Sequence, residues 1–279
     1  MGGREEPRGI HIRGNGIWCV KSFKGGMTLA EVSAQWAAVQ ARFADHVPRA
    51  PAVKAFFQEA YRPQRRRSVK ASEASKASKA YEATVEKADT LEVALRLRGE
   101  GHDPLVLILA DAYEPGGCVR AGAGMQEESL FRRTALFKHL DKTMPGLYPI
   151  EPLAAVYAPS VPVVVDGRHD VELAFVACPG LKMPQLDRRE RLMPDDVALL
   201  RKKVALILQV AHDLGHASVV LGALGCGAFG CPSRDVAEVF RDVLATDFAD
   251  VFDRVAFAVL GANHDLFKSS ITPLPLGGG

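Results

Sequence analysis

The apolar stretch Leu105-Val106-Leu107-Ile108-Leu109-Ala110 is followed, after four residues, by Pro115-Gly116-Gly117-Cys118 and, after seven more, by Gln126-Glu127-Glu128. A short, continuous apolar run predicts a buried strand that delivers the following loop to the edge of a sheet. Because glycine lacks Cβ and tolerates positive φ, Gly116 and Gly117 predict a loop whose backbone N–H groups approach a ligand closely. The adjacent carboxylates predict an acid attached to that loop.

The two carboxylates open an amphipathic run, Glu127–Leu140, that predicts a helix. Neighbouring helical positions diverge by about 100°, so only one of the two glutamates is expected to point squarely into a pocket. Acidic residues in a first turn also complement the helix dipole without any catalytic role. Because a glycine loop precedes the two glutamates, a catalytic role is favoured over a purely structural role at the helix dipole.

A second glycine-rich segment, Leu221-Gly222-Ala223-Leu224-Gly225-Cys226-Gly227-Ala228-Phe229-Gly230, follows about a hundred residues later. It comes directly after the predicted strand Ser218–Leu221. Its glycines permit a tight backbone wrap around a diphosphate, and Phe229 is placed to pack on a ribose or to limit substrate entry. The structural alternative is an ordinary strand-to-helix connection with Phe229 in the core.

Taken together, these residues resemble the signature of the microbial-type poly(ADP-ribose) glycohydrolases, a macrodomain subgroup marked by a triple glycine, a spacer and Gln-Glu-Glu. The resemblance extends through Tyr113–Pro115, Gly122–Gly124 and Ser129–Phe137, and it covers approximately Val85 to Phe267. Two motifs in the family's order form a more specific match than either motif alone. The implied fold is an α/β class, macrodomain-like three-layer α/β/α sandwich with a mixed sheet and an N-terminal, mainly helical extension.

The resemblance also implies site roles. Glu128 would be the acid/base that hydrolyses a ribose–ribose O-glycosidic bond and releases ADP-ribose, while Glu127 would bind ribose hydroxyls or orient the substrate. No cofactor and no metal is implied, and the expected partner is ADP-ribose or poly(ADP-ribose) on modified macromolecules. The predicted substrate-binding residues are Gly116, Gly117, Cys118, Gln126, Gly225, Cys226, Gly227, Ala228 and Phe229.

Three positions depart from the family pattern. Cys118 stands at the third glycine, where its side chain would crowd the loop if the backbone needed positive φ. Asp111 stands near a position where the family commonly has asparagine, and Met125 replaces a small residue before Gln-Glu-Glu. The departures motivate an alternative function, an ADP-ribose-binding macrodomain or a mono-ADP-ribosyl hydrolase with little activity on polymer. A nucleotide-binding protein of unrelated activity is a third hypothesis.

Composition and charge limit the other possible classes of protein. The chain has 279 residues, is 48% hydrophobic and carries a formal charge of +2, so its bulk charge gives no strong indication of nucleic-acid binding. Its five dispersed cysteines lack the paired spacing of a structural zinc site and favour a reducing compartment, intracellular and either cytoplasmic or nuclear. His212 and His216 have a metal-compatible spacing but no acidic–histidine signature nearby. No segment predicts a membrane span.

The order of predicted elements indicates an α/β sandwich, since strands and helices alternate from Leu105 onward. The predicted division is an extension over 1–80, a catalytic macrodomain-like unit over 81–270 and a tail over 271–279. A small hairpin is predicted for Ile10–Phe23 and a solvated basic stretch for Arg62–Lys79. The predicted helices are Thr28–Phe43, Ala52–Tyr61, Lys87–Arg98, Glu127–Leu140, Ala198–Leu214 and Val236–Thr246, and the predicted strands are Leu105–Ala110, Ala154–Ala158, Leu173–Ala177, Ser218–Leu221 and Val255–Val259.

Overall fold

The computed structural model describes residues 28–59, 61–63, 83–165 and 168–271. The predicted hairpin over Ile10–Phe23, most of the basic stretch Arg62–Lys79 and nearly all of the predicted tail lie outside these residues. The predicted division of the chain into three parts therefore stays a prediction.

Within the described residues, seven strands form one mixed sheet in the order β1-β4-β5-β3-β6-β7-β2. Strands β5, β3, β6, β7 and β2 are parallel to one another, whereas β1 and β5 both pair antiparallel with β4. The strands are β1 (Val53–Phe56), β2 (Ala83–Glu86), β3 (Pro104–Ala110), β4 (Ala154–Val165), β5 (Arg168–Pro179), β6 (Ser218–Leu221) and β7 (Arg254–Ala258).

Helices cover both faces of this sheet. They are α1 (Leu29–Arg42), α2 (Thr90–Gly99), α3 (Gln126–Arg133), α4 (Leu136–His139), α5 (Pro194–Asp213), α6 (Ser233–Thr246) and α7 (Asn263–Ile271), with a short 3₁₀ turn at Val119–Ala121. None of the helices in the described ranges is long and apolar enough to cross a membrane. The predicted macrodomain-like α/β class is confirmed.

The central strand β3 shows how the sequence builds three layers. Leu105 and Leu107 pack in the core on the side of α5 and α6, whereas Val106 and Ile108 pack on the side of α2 and α3. Successive side chains of a strand point to opposite faces, so a continuous apolar run is required where both faces are covered. All four side chains are at most 1% exposed.

The start of α1 is a capping box formed by Thr28 and Glu31. The Glu31 carboxylate accepts a hydrogen bond from the Thr28 backbone N–H at 2.6 Å, and Thr28 Oγ1 accepts one from the Glu31 N–H at 3.3 Å. Each bond satisfies an N–H that the first turn leaves unpaired. The helix packs on α3 and on the 3₁₀ turn, and the ring of its Trp36 lies under the Arg120 guanidinium at 5.9 Å. A helix of the predicted extension thus supports the glycine loop.

Two helix predictions are wrong. Ala52–Tyr61 is predicted to be helical, but Val53–Phe56 forms β1, because pairing with β4 along Ala154–Tyr157 satisfies its backbone. Glu127–Leu140 is predicted as one helix, but it is interrupted at Thr134, whose backbone is extended and bridges to Val163. Strand β2 and helix α7 were not predicted, and the predicted β4 and β5 are shorter than the observed strands.

The sheet brings three chain segments to one edge. Strands β5, β3 and β6 are parallel neighbours, so the residues that follow Pro179, Ala110 and Leu221 leave the sheet at the same end. This is the end at which α/β sheets commonly bind ligands. Both predicted glycine loops are thereby placed side by side.

Candidate active site

The first loop is ordered by its own polar groups. The Asp111 carboxylate accepts hydrogen bonds from the backbone N–H groups of Tyr113 at 2.8 Å and Glu114 at 3.1 Å. The N–H of Gly117 then donates to the Glu114 carbonyl at 2.8 Å. An aspartate that bonds the backbone two residues on is a turn former in its own right, so Asp111 fixes the direction in which the chain leaves β3.

Glu127 is held by backbone donors from this loop. It is 5% exposed, and its Oε2 and Oε1 accept hydrogen bonds from the N–H groups of Asp111 at 2.8 Å and Gly116 at 2.9 Å. Burial raises the pKa of the Glu127 carboxyl well above its ordinary value, and the neighbouring Glu128 adds to the rise, whereas the two N–H donors oppose it. The carboxyl is therefore fixed in place and favoured in its neutral form.

Glu128 has a different environment. It is 6% exposed, and its Oε1 accepts a hydrogen bond from the Cys118 N–H at 3.0 Å. Its Oε2 is buried and has no hydrogen-bond partner among the described residues. A buried carboxyl oxygen without a partner is costly, and such exceptions are concentrated at functional sites. One oxygen of Glu128 is therefore anchored by a backbone donor, and the other faces no donor among the described residues.

Gly116 and Gly117 of the first loop are both required by close contacts with α3. Gly117 has φ +53°, and a Cβ there would lie 2.7 Å from Glu128 Oε1 and 3.2 Å from Glu127 Oε2. Gly116 has φ +77°, and a Cβ there would lie 2.6 Å from the Phe131 ring. Neither backbone conformation nor space admits a side chain. The loop thus lies flat against the helix that carries both glutamates.

Cys118, which replaces the third family glycine, fits without strain. Its φ of −97° and ψ of 31° lie outside the left-handed region, so the steric conflict that its side chain was expected to cause does not arise. Its contribution to the acid pair is its backbone N–H, which any residue except proline supplies.

Gln126 has an architectural position at the start of α3. Its Oε1 accepts a hydrogen bond from the Leu109 N–H at 3.0 Å, and its Nε2 donates to the Leu107 carbonyl at 2.7 Å and to Thr90 Oγ1 at 3.3 Å. The side-chain amide therefore makes the pair of bonds to β3 that a neighbouring strand would make. Gln126 lines the site, and its predicted role in substrate binding stays a prediction.

Replacing Gln126 with leucine is expected to lower the free energy of unfolding by about 2–4 kcal/mol. The change leaves the Leu109 N–H and the Leu107 carbonyl without their partner, and each buried unsatisfied group costs about 1–3 kcal/mol. Urea unfolding measures the loss. Gln185→Leu, at an exposed glutamine, is the matched control and should change stability by less than about 0.5 kcal/mol. Equal stabilities of the two variants would contradict the assigned role.

The second loop is tightly folded against the segment that leaves β5. Gly225 has φ +78°, and a Cβ there would lie 2.7 Å from the Cys231 Sγ. A Cβ on Gly180 would lie 2.8 Å from the Gly225 Cα, so the two backbones are in direct contact. The Met183 N–H donates to the Phe229 carbonyl at 2.8 Å. These contacts fix the second loop to the chain that follows β5.

The two loops share one cavity of about 370 Å³. The loops also meet across its mouth, since a Cβ on Gly227 would lie 2.9 Å from Met125 Cε. Of the predicted site residues, Gly116 and Cys226 do not line it. The cavity is lined by Leu109, Asp111, Glu114, Gly117, Cys118, Ala123, Gly124, Met125, Gln126, Glu127, Glu128, Gly180, Lys182, Ala223, Gly225, Gly227, Ala228 and Phe229.

The two residues outside the lining have other surroundings. Gly116 is buried against Phe131 and donates its N–H to Glu127. The Cys226 thiol is bonded to the Leu224 carbonyl at 3.9 Å, and burial raises its pKa to about 12. Gly116 therefore contacts Glu127 through its N–H without lining the cavity.

Sequence reasoning missed three residues near the acids. Glu114 and Lys182 line the cavity, and Lys182 could have been found from its position two residues beyond the Gly180 that follows a strand. Tyr148 has a buried hydroxyl without a partner among the described residues. Burial raises the pKa of the Tyr148 hydroxyl well above its ordinary value, and the charges of Glu127 and Asp111 add to the rise. No local pattern marks Tyr148.

Two arginines of α3 are engaged in the fold. The Arg132 guanidinium donates to the Ala123 carbonyl, and its pKa is lowered by burial while the charge of Glu128 opposes the shift. The Arg133 guanidinium donates to the Asp89 carboxylate at 2.5 Å. Both side chains therefore tie α3 to neighbouring elements.

The histidine pair does not share partners. His212 contacts the Tyr61 hydroxyl, whereas His216 contacts the Tyr157 hydroxyl and the Asp103 carbonyl. In the described ranges, no group of three or more His, Cys, Asp or Glu side chains is arranged to hold a metal ion. The expectation of a metal-independent reaction stays a prediction.

The raised pKa of Glu127 predicts a pH dependence of stability. A carboxyl whose pKa is higher in the folded than in the unfolded protein stabilises the fold below the ordinary value of 4.5, and that contribution is lost as the pH rises through the folded value. Relative to a Glu127→Gln variant, the wild-type free energy of unfolding should fall with pH by at most about 1.4 kcal/mol per unit. Urea unfolding between about pH 5 and pH 8 measures the difference. Parallel curves would contradict it.

Comparison with known families gives two matches. The microbial-type PARG catalytic domain matches residues 35–166, and the Macro domain matches residues 185–240. The first match contains the first glycine loop and both glutamates, and the second contains the second loop. A search of curated protein sequences gave no match.

Solved structures of bacterial poly(ADP-ribose) glycohydrolases are similar to the chain along most of its length. The enzyme from Thermomonospora curvata is 26% identical, with a TM-score of 0.67 over 86% of this chain and 99% of that one. Its complex with the inhibitor ADP-HPD is 27% identical, with a TM-score of 0.64 over 85% and 98%. The Deinococcus radiodurans enzyme in complex with ADP-ribose is 24% identical, with a TM-score of 0.56 over 88% and 92%.

Proposed function

The chain belongs to the microbial-type poly(ADP-ribose) glycohydrolases of the macrodomain superfamily, and we propose that Glu128 is the acid/base with which it hydrolyses ribose–ribose O-glycosidic bonds. The observation that carries this proposal is the asymmetry of the acid pair. Both oxygens of Glu127 accept backbone hydrogen bonds, whereas Oε2 of Glu128 accepts none from the described residues.

The hydrogen bond from Cys118 selects which oxygen of Glu128 reacts. Because Oε1 accepts an N–H, it is favoured as the carbonyl oxygen of the neutral acid, and the proton then resides on Oε2. Oε2–H donates this proton to the departing ribose oxygen as the glycosidic C–O bond breaks and an oxocarbenium-like centre forms. The resulting carboxylate takes a proton from the water that adds to that centre. Glu128 thereby returns to its starting form.

Glu127 is proposed to orient the ribose. Its two backbone hydrogen bonds prevent the side chain from rotating, and each oxygen keeps a second lone pair for a sugar hydroxyl. Burial favours the neutral form of Glu127. This form avoids two adjacent negative charges while Glu128 is a carboxylate. Glu127 thus holds the substrate while the adjacent residue transfers the proton.

The second loop is proposed to hold the diphosphate of the terminal ADP-ribose. Gly225, Gly227, Ala228 and Phe229 line the cavity opposite the acids, with backbone groups close to the cavity surface. Gly227 and Ala228 are exposed and have no large side chain, so an anion can reach their N–H groups. This arrangement binds a chain end and leaves the scissile bond near Glu128.

The alternative of a binding module loses its main physical motive. It rested on a steric conflict at Cys118, and that residue has φ −97°. The mono-ADP-ribosyl hydrolase alternative is separated from polymer hydrolysis by the choice of substrate.

The test is incubation of the chain with defined poly- and mono-ADP-ribosylated substrates, followed by identification of the product. Polymer hydrolysis releases ADP-ribose from the poly-modified substrate and leaves the last unit on the protein. Release from the mono-modified substrate alone would establish the alternative hydrolase. Binding of ADP-ribose without release from either substrate would establish a binding module and refute the proposed hydrolase.

A further inference from the structure

The cavity is rich in carboxylates although its proposed substrate is an anion. Asp111, Glu114, Glu127 and Glu128 all line it, and among the described residues only Lys182 contributes a basic side chain to the lining. A diphosphate adds two further negative charges. Backbone N–H groups bind an anion but carry no net charge, so a basic side chain at the diphosphate adds an attraction that they do not supply.

Lys182 is fixed to the second loop by the residues on both of its sides. The Leu181 carbonyl accepts a hydrogen bond from the Cys231 thiol at 3.2 Å, and the Met183 N–H donates to the Phe229 carbonyl at 2.8 Å. The Lys182 Nζ lies 5.5 Å from the centroid of the Phe229 ring, within the range of a cation–π interaction. The backbone on both sides of position 182 is thus bonded to the second loop, and the Lys182 ammonium group lies beside Phe229.

We propose that Lys182 recognises the diphosphate of the substrate by charge and holds Phe229 in place at the cavity wall. This inference rests on the proposed function and adds a specificity-determining side chain to it. The lysine adds a positive charge beside the N–H groups of the second loop and makes that wall selective for a phosphorylated ligand over a neutral nucleoside. It touches the non-reacting part of the substrate, so it contributes equally to ground-state and transition-state binding.

Two other basic residues near the acids lie outside the cavity lining. The Arg132 guanidinium donates to the Ala123 carbonyl, and the Lys142 ammonium donates to both oxygens of the Glu114 carboxylate at 2.6 and 2.9 Å. Neither residue lines the cavity. The charge on the wall formed by the second loop therefore comes from Lys182.

The test is calorimetric titration of ADP-ribose into the wild-type chain and into Lys182→Met and Lys182→Arg variants. Loss of the charge should weaken ADP-ribose binding about tenfold, in line with one charge-assisted contact, while the arginine variant should stay within about threefold. The dependence of affinity on salt should also become shallower in Lys182→Met, because one ionic contact fewer is screened. With polymer as substrate, KM should rise about tenfold at nearly unchanged kcat.

Lys202→Met is the matched control. The Lys202 ammonium lies 5.8 Å from the Phe57 ring centroid, so the substitution removes the same charge from the same kind of aromatic contact away from the cavity. Its affinity for ADP-ribose should equal that of the wild type. Equal ADP-ribose affinity of Lys182→Met and Lys202→Met would overturn the inference, as would a fall in kcat at unchanged KM. A wild-type chain that binds ADP-ribose but releases none from polymer would refute the hydrolase alone, and the titration would still test the lysine.

Discussion

Replacing Glu128 with glutamine is expected to lower kcat about a thousandfold while leaving ADP-ribose affinity within about threefold of the wild type. The amide keeps a carbonyl oxygen for the Cys118 N–H but cannot give up a proton to the departing ribose oxygen. General acid–base catalysis by one positioned side chain is worth about 10²–10⁴ in rate, which sets the size of the loss. Initial rates of ADP-ribose release and calorimetric binding measure the two quantities.

Glu114→Gln is the control for this experiment. Glu114 lines the same cavity, and the substitution makes the same change from carboxylate to amide. Its side chain is bonded to Lys142, and the structure assigns it no part in proton transfer. Its kcat is expected to stay within about threefold of the wild type. Undiminished release of ADP-ribose by the Glu128 variant would remove Glu128 from the central role.

A single methyl group at Gly117 is expected to lower kcat about a hundredfold. In Gly117→Ala the new Cβ would lie 2.7 Å from Glu128 Oε1, so the carboxyl or the loop must shift. A misplacement of about 1 Å in an active site costs roughly 10² in rate. The positive φ of +53° adds a stability cost of about 1–2 kcal/mol, because alanine is strained in that region.

The effect of the methyl group is separated from general loop damage by Gly124→Ala. Gly124 belongs to the same loop and lines the same cavity, but a Cβ there would meet no atom within 4 Å. Its activity and urea midpoint should match those of the wild type. If both alanine variants keep full activity, the contact between Gly117 and the acid does not position Glu128.

The parts of the fold that the sequence predicts best are those with a local cause. The capping box at Thr28, the apolar run of β3 and the glycine loops after β3 and β6 each follow from neighbouring residues. The strand Val53–Phe56 has no such cause, since its backbone becomes extended only by pairing with β4, about a hundred residues away. The break at Thr134 likewise depends on Val163. Long-range pairing overrides helical periodicity in both places.

The candidate site also has features with a local cause in the sequence and features that depend on remote contacts. The cavity between the two loops agrees with what the order of the motifs indicates, but Glu127 and Glu128 both line it, whereas their helical spacing predicts that only one of them would point into a pocket. The reason for the glycines was not predictable, because the contact of Gly117 with both acids depends on how the loop folds back on α3. Tyr148 and Lys182 reach the site from remote positions of the chain, so no spacing within the motifs marks them.

Backbone N–H groups hold the acid pair, and this determines which sequence pattern identifies related proteins. The N–H groups of Asp111, Gly116 and Cys118 hold the two glutamates, and every amino acid except proline provides such a group. Evolution can therefore exchange the third residue of the glycine triplet without altering the chemistry. A pattern search that demands three consecutive glycines would overlook this chain, whereas one that demands glycine only where φ is positive would retain it.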